Sequence, residues 1–151
     1  MQLKALHWTA KEIAAAAAPN NFQPITSHSE FGWRNGPFFE RKTADSWQRG
    51  FRVSTEHANA GGICHGGMLM TFGDIVLATA VIRAADPPCV TVRMESDMMG
   101  AARIGVWVEG TAEVTGVDGS MIHVRGLLTA DGKPCMGLNG IFKQIARRHF
   151  K

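Results

Sequence analysis

Between Gly66 and Ala84 the chain runs through Met, Leu, Phe, Ile, Val and Ala without a proline, a stretch too long for a strand. It predicts one long, mostly buried helix that stops at Asp86-Pro87-Pro88, where proline removes a donor and disfavours helix in the residue before it. On either side of this run the period changes to two. Trp47, Phe51 and Val53 alternate with Gln48, Arg52 and Ser54, which predicts a strand over Trp47–Thr55; another precedes it over Phe38–Lys42, joined by Thr43-Ala44-Asp45-Ser46. Four more strand candidates follow the helix: Cys89–Asp97, Arg103–Thr115, Ser120–Thr129 and Cys135–Ile145. Val117-Asp118-Gly119 and Asp131-Gly132-Lys133 lie in two of the connections, and both carry the Asp-Gly signal of a tight antiparallel hairpin.

A helix that is apolar on nearly every side has to be covered on most of them, and a curved antiparallel sheet wrapped around one long central helix does this. The expected class is α+β, and the arrangement resembles the hotdog fold. One sheet covers such a helix incompletely, so a second subunit is expected against it. Ahead of the first strand, residues 1–37 read as an N-terminal extension, with residues 38–151 as the main domain. Ala14–Ala18 predicts a short helix ended by Pro19, and Pro19–Pro37 has the turn residues of a loop. Arg147–Lys151 is a short basic tail.

With 151 residues, 45% of them hydrophobic, one domain with a substantial core is expected and extensive disorder is not. A formal charge of +3 is too small to imply nucleic acid as a partner and suits an anionic small molecule equally well. Cys64, Cys89 and Cys135 cannot all pair with one another and show no CxxC spacing, which points to a reducing, cytoplasmic setting. Lys11 and Glu12 interrupt what could pass for a leader peptide. The apolar run from Met68 to Ile82 falls short of the ~20 residues of a comfortable span and contains an aspartate, so no membrane partner is expected.

That aspartate, Asp74, changes the picture. An ionised carboxylate without partners is costly to bury, so it is either a hydrogen-bonded structural group or a nucleophile or general base in a pocket. Upstream, Cys64-His65-Gly66-Gly67 falls at the start of the helix, where unpaired backbone N–H groups and the dipole favour negative charge. Glycines there serve a tight entry turn or let a substrate approach the backbone. At about 1.5 Å per residue, Asp74 and Gly66 are roughly 12 Å apart along one helix, so one carbonyl cannot touch both. If both act on one group, the aspartate comes from a neighbouring subunit across a two-fold interface. His57 and Asn59 could orient a substrate or water, and His65 could position the loop; each serves equally as a loop-bonding polar residue. His57, Cys64 and His65 lack the paired spacing and fourth ligand of a zinc site, and adjacent Cys64 and His65 are poorly placed for a nucleophilic dyad.

The run from His57 through Asn59, Gly62, His65, Gly66 and Gly67 to Asp74 resembles the signature of the phenylacetate-pathway (PaaI-type) hotdog thioesterases, H-x-N-x-x-G-x-x-H-G-G with an acidic residue seven positions on. The resemblance extends over roughly Phe38 to Ile145 and implies hydrolysis of an acyl-CoA thioester by homodimers or homotetramers with sites at the dimer interface. No cofactor and no metal are expected. The resemblance makes Asp74 the catalytic carboxylate, Gly66 the amide donor to the thioester oxygen, Asn59 the polar partner for water or substrate and His65 a supporting residue; Gly67 and His57 are expected beside the substrate. Some relatives carry a hydroxyl one turn after the acid, where this chain has Ala78 with Thr79 next to it. Others place a serine on the following strand, for which Thr91 is the nearest candidate. Arg83, Arg103, Lys143, Arg147 and Arg148 are candidates for the CoA phosphates. A hotdog protein that binds acyl-CoA without hydrolysing it, and a thioesterase acting on acyl-carrier-protein thioesters, are the alternatives. A dehydratase would want a histidine on the central helix, and Met68–Ile82 holds none.

Overall fold

The computed structural model describes residues 8–19, 21–26, 29–85 and 88–146. In chain order they form α1 (Ala10–Ala16), β1 (Gln23–Pro24), α2 (Glu30–Asn35), β2 (Phe39–Lys42), β3 (Trp47–Arg52), a 3₁₀ turn (Thr55–His57), α3 (Gly66–Ala84), β4 (Cys89–Met98), β5 (Trp107–Asp118), β6 (Met121–Ala130) and β7 (Lys133–Gln144). All strands pair antiparallel in one sheet of order β1-β2-β3-β5-β6-β7-β4, so the strand that follows the helix ends at the far edge of the sheet. At the tip of the β6–β7 hairpin, Ala130 faces Lys133 across Asp131 and Gly132, with φ of 46° and 79°. Two successive positive φ values match the right-handed twist of the flanking strands, which is why Asp-Gly marked this turn.

α3 lies across the sheet with Met68, Leu69, Phe72, Val76, Leu77 and Val81 buried, and these pack with Phe51, Val108, Ile122, Val124, Leu128, Leu138 and Phe142 from the strands. Burial of such a side chain contributes about 1.5–3 kcal/mol, so this layer dominates stability. Close approach of helix to sheet depends on Gly110, where a Cβ would fall 2.5 Å from Leu128 and 2.7 Å from Val76. By length and composition α3 could cross a membrane, yet here it is the core helix of an α+β hotdog fold.

A smaller cluster, Ala16, Phe22, Phe39 and Trp107, lies on the opposite face of the sheet. The neighbours Phe38 and Val108 point toward α3, and alternate strand residues face opposite ways. α1 is held there by Arg52, whose Nε donates to the Ala16 carbonyl at 2.8 Å while its guanidinium lies over Trp107.

Several boundaries differ from expectation. Pro19–Pro37 is not all loop. β1 pairs with β2, and α2 is capped by the Ser29 hydroxyl, which accepts from the Gly32 N–H. Trp8 stacks on Trp33 at 5.4 Å and meets Phe38 edge-on, so this segment folds onto the domain by aromatic contacts that a period count does not register. β3 stops at Arg52, before the 3₁₀ turn, and β5 starts at Trp107 rather than Arg103, because Arg103–Val106 closes a turn through Gly105 at φ 86°. The helix stop at Asp86-Pro87 and the basic tail lie outside the described residues.

Candidate active site

The loop into α3 is built by its own backbone and one side chain. Asn59 donates its N–H to Ile63 O at 2.8 Å, accepts from Gly62 N–H at 3.0 Å, and its Oδ1 accepts from Gly61 N–H at 2.9 Å. Gly62 turns the chain at φ 72°. Cys64 then donates to Ala102 O at 2.7 Å, and Ile63 forms an isolated bridge with Arg103, which fixes the loop to the turn before β5.

His65 caps the helix twice. Its Nδ1 accepts from the Gly67 N–H at 3.0 Å, and its carbonyl accepts from Met68 at 2.9 Å and Leu69 at 3.1 Å. Of the first-turn amides whose partners a helix start leaves open, only Gly66 N–H has no acceptor among the described residues. Gly66 lies under Met98, whose Cε a Cβ at this position would meet at 2.7 Å.

Asp74 sits further along α3, half-buried rather than buried as its helix suggested, and Thr91 of β4 donates Oγ1–H to its Oδ1 at 2.8 Å. The start and the middle of α3 thus both face β4, with Gly66 under Met98 and Asp74 beside Thr91. β4 is an edge strand with most of its side chains exposed, among them the apolar Val90, Val92 and Met98, the last beside Gly66.

His57 does not face outward as a substrate-binding role would require. It is 6% exposed, with Nδ1 accepting from the Ser54 N–H at 3.1 Å and Nε2 donating to the Asn35 carbonyl at 3.0 Å. Burial pushes its pKa down. Cys64 is buried, and that burial pushes its thiol up to about 11, which removes it as a nucleophile near neutrality. Thr79 cannot stand in for a hydroxyl at position 78: it is about 140° round the helix from Asp74, donates to Ile75 O and accepts from Arg49 Nε. Position 78 is therefore apolar. Among the described residues no group of three His, Cys, Asp or Glu side chains is set to hold a metal.

Of the basic candidates, Arg103 is exposed beside the glycine loop and has no ion pair among the described residues. Arg83 lies at the other end of α3, its guanidinium stacked on Trp47 at 3.9 Å. Lys143 is exposed on β7, and Arg147 and Arg148 lie outside the described residues. A groove of about 680 Å³ opens beside Arg83, where β3 and β5 part beyond the Arg49–Gly110 pair, on the side of α3 away from Asp74. Pattern reading gave no sign of this groove, because it arises from where a ladder ends.

The chain belongs to the thioesterase superfamily, whose family model matches residues 61–135, from the glycine loop through α3 to β7. Among its relatives is a Pseudomonas aeruginosa protein named Putative esterase PA0474, 33% identical over 130 residues that are 82% of this chain and 95% of that one. A mutant of the phenylacetic acid degradation protein PaaI from Thermus thermophilus shares the fold, with TM-score 0.70 and 20% identity over 78% of this chain and 100% of that one. So does a hypothetical thioesterase protein from Streptococcus pneumoniae whose structure contains coenzyme A, with TM-score 0.66 and 16% identity over 72% and 86% of the two chains.

Proposed function

We propose that the protein hydrolyses acyl-CoA thioesters to the free acid and CoA, at a site that two copies of the chain complete. The observation that carries this reading is the pairing of an unused Gly66 N–H at a helix start with a hydroxyl-held Asp74 carboxylate on the same exposed side of α3. The thioester oxygen accepts from Gly66 N–H, where the helix dipole also favours the charge that develops on it. Asp74 of the second copy takes a proton from water as that water attacks the carbonyl carbon, and CoA leaves as a thiolate. Thr91 occupies Oδ1, which leaves Oδ2 to receive the proton. Asn59 and His65 hold the loop at the mouth of the site, with Gly67 allowing the acyl carbonyl close to the backbone, and Arg103 is the cation best placed for a CoA phosphate.

The second copy meets two needs with one surface. It supplies the distant carboxylate, and it covers the half-exposed side of α3 and the unpaired edge of β4, an edge that soluble proteins rarely leave bare. Because CoA is a good leaving group, the step needs no strong acid.

The test is hydrolysis of a panel of aromatic and short to long aliphatic acyl-CoAs, with released CoA read by a thiol reagent, for wild type and Asp74→Asn. Hydrolysis of at least one member that falls about 10²–10⁴-fold in the variant is expected. Activity that survives the substitution refutes the mechanism. Binding of acyl-CoA without any turnover would instead make the chain an acyl-CoA-binding protein.

A further inference from the structure

His57 uses its whole hydrogen-bonding capacity away from the solvent. Ser54 N–H points at Nδ1, so that nitrogen must be the acceptor, and the ring proton is on Nε2, directed at the Asn35 carbonyl. That carbonyl ends α2 and is one of the acceptors a helix leaves unpaired. The ring stands edge-on to Phe51 at 5.2 Å, inside the core, so its orientation is fixed. At the same residue the His57 carbonyl accepts from His65 N–H at 2.8 Å, and His65 in turn caps Gly67, Met68 and Leu69.

We infer that His57 is a positioning residue, tying the end of α2 to the loop that aims the free Gly66 amide. The catalytic part of this inference rests on the thioesterase reading above; the structural part does not. Only a neutral imidazole offers an acceptor and a donor on opposite sides of one rigid ring. Phenylalanine supplies neither, asparagine is too short to span to Asn35, and glutamine keeps a donor near the Nε2 position. The short segment before β2, which lies outside residues 61–135, is thereby joined to the proposed oxyanion donor through one side chain.

The experiment compares His57→Phe, His57→Asn and His57→Gln with wild type in steady-state hydrolysis and in amide hydrogen exchange over residues 62–69. Phe and Asn are expected to lower kcat about 10- to 100-fold, the cost of a small misplacement of a reacting group. KM should stay within about twofold, and Gln should recover most of the loss. Exchange at the His65 amide should speed up at least about tenfold in Phe and Asn, since its acceptor is no longer held. If Phe does not fold, Asn carries the same comparison. Unchanged exchange and kcat in a folded Phe or Asn variant, or Gln as impaired as Phe, overturns the inference. Absence of hydrolysis by wild type sinks the thioesterase reading, while the exchange arm still decides whether His57 holds the loop.

Discussion

At Asp74, what a carboxylate does depends on the few atoms around it. The sequence placed it on an apolar helix and implied burial. It is half-buried in the single chain because α3 shows one side to β4, whose edge position leaves that side open. Thr91 was legible as the nearest hydroxyl on the next strand, and it does bond to Asp74. If that bond only orients the carboxylate, Thr91→Val should lower kcat about tenfold and leave the fold intact, measured beside thermal unfolding. His57 stands out in the sequence as a motif residue, but no spacing rule reveals that both ring nitrogens turn inward to partners 3 and 22 positions away. Its lowered pKa has a definite sign. The unfolded chain binds a proton near the ordinary value of about 6.5 and the folded chain only below it, so stability present above 6.5 is lost as pH falls toward the folded value. The urea midpoint of wild type should therefore drop between pH 7.5 and 5.5 by more than that of His57→Gln.

Elements with a strong period were legible, and elements held by contacts were not. α3 runs over the residues expected, and hairpins form at both Asp-Gly signals, turning on Asp131-Gly132 in one and on Gly119-Ser120, one residue further on, in the other. β1 and α2 are too short to show a period; Ser29 followed by Glu30 was a usable cap signal, although the aromatic contacts of Trp8 and Trp33 lie beyond any local rule. At the start of α3 the glycine pair divides its amides, since Gly67 N–H is consumed by the cap and Gly66 N–H is not. Gly66→Ala places a methyl group where only the flexible end of Met98 must give way. The fold should therefore tolerate it, with little change in thermal unfolding. A bound thioester has less freedom, and kcat/KM should fall about 10- to 100-fold. Equal loss of stability and activity would mean that the glycine serves only the turn.

In the whole molecule, the one-sidedness of the sheet decides the most. Order β1-β2-β3-β5-β6-β7-β4 leaves β4 unpaired along one edge and the side of α3 around Met70 and Asp74 only partly covered, and the N-terminal segment closes the opposite end instead. The sequence conveyed that one sheet could not enclose the helix; the identity of the open edge depends on a crossover that only the folded chain displays.

The eight-residue interval between Gly66 and Asp74 carries a last consequence, in symmetry. For each to meet the other's counterpart, the two helices must run in opposite directions about an axis level with residue 70, midway between them, where Met70 is 39% exposed. Under the proposed two-copy site, each dimer would hold two reaction centres, and each centre would draw one half from either chain. On that reading, a chain lacking the carboxylate and a chain lacking the amide site should each be inert alone and should complement one another. After Asp74→Asn and Gly66→Pro proteins are unfolded together and refolded in equal amounts, half of the dimers are mixed and each has one intact centre. Activity should return to about a quarter of that of wild type, whereas a site built within one chain would recover nothing.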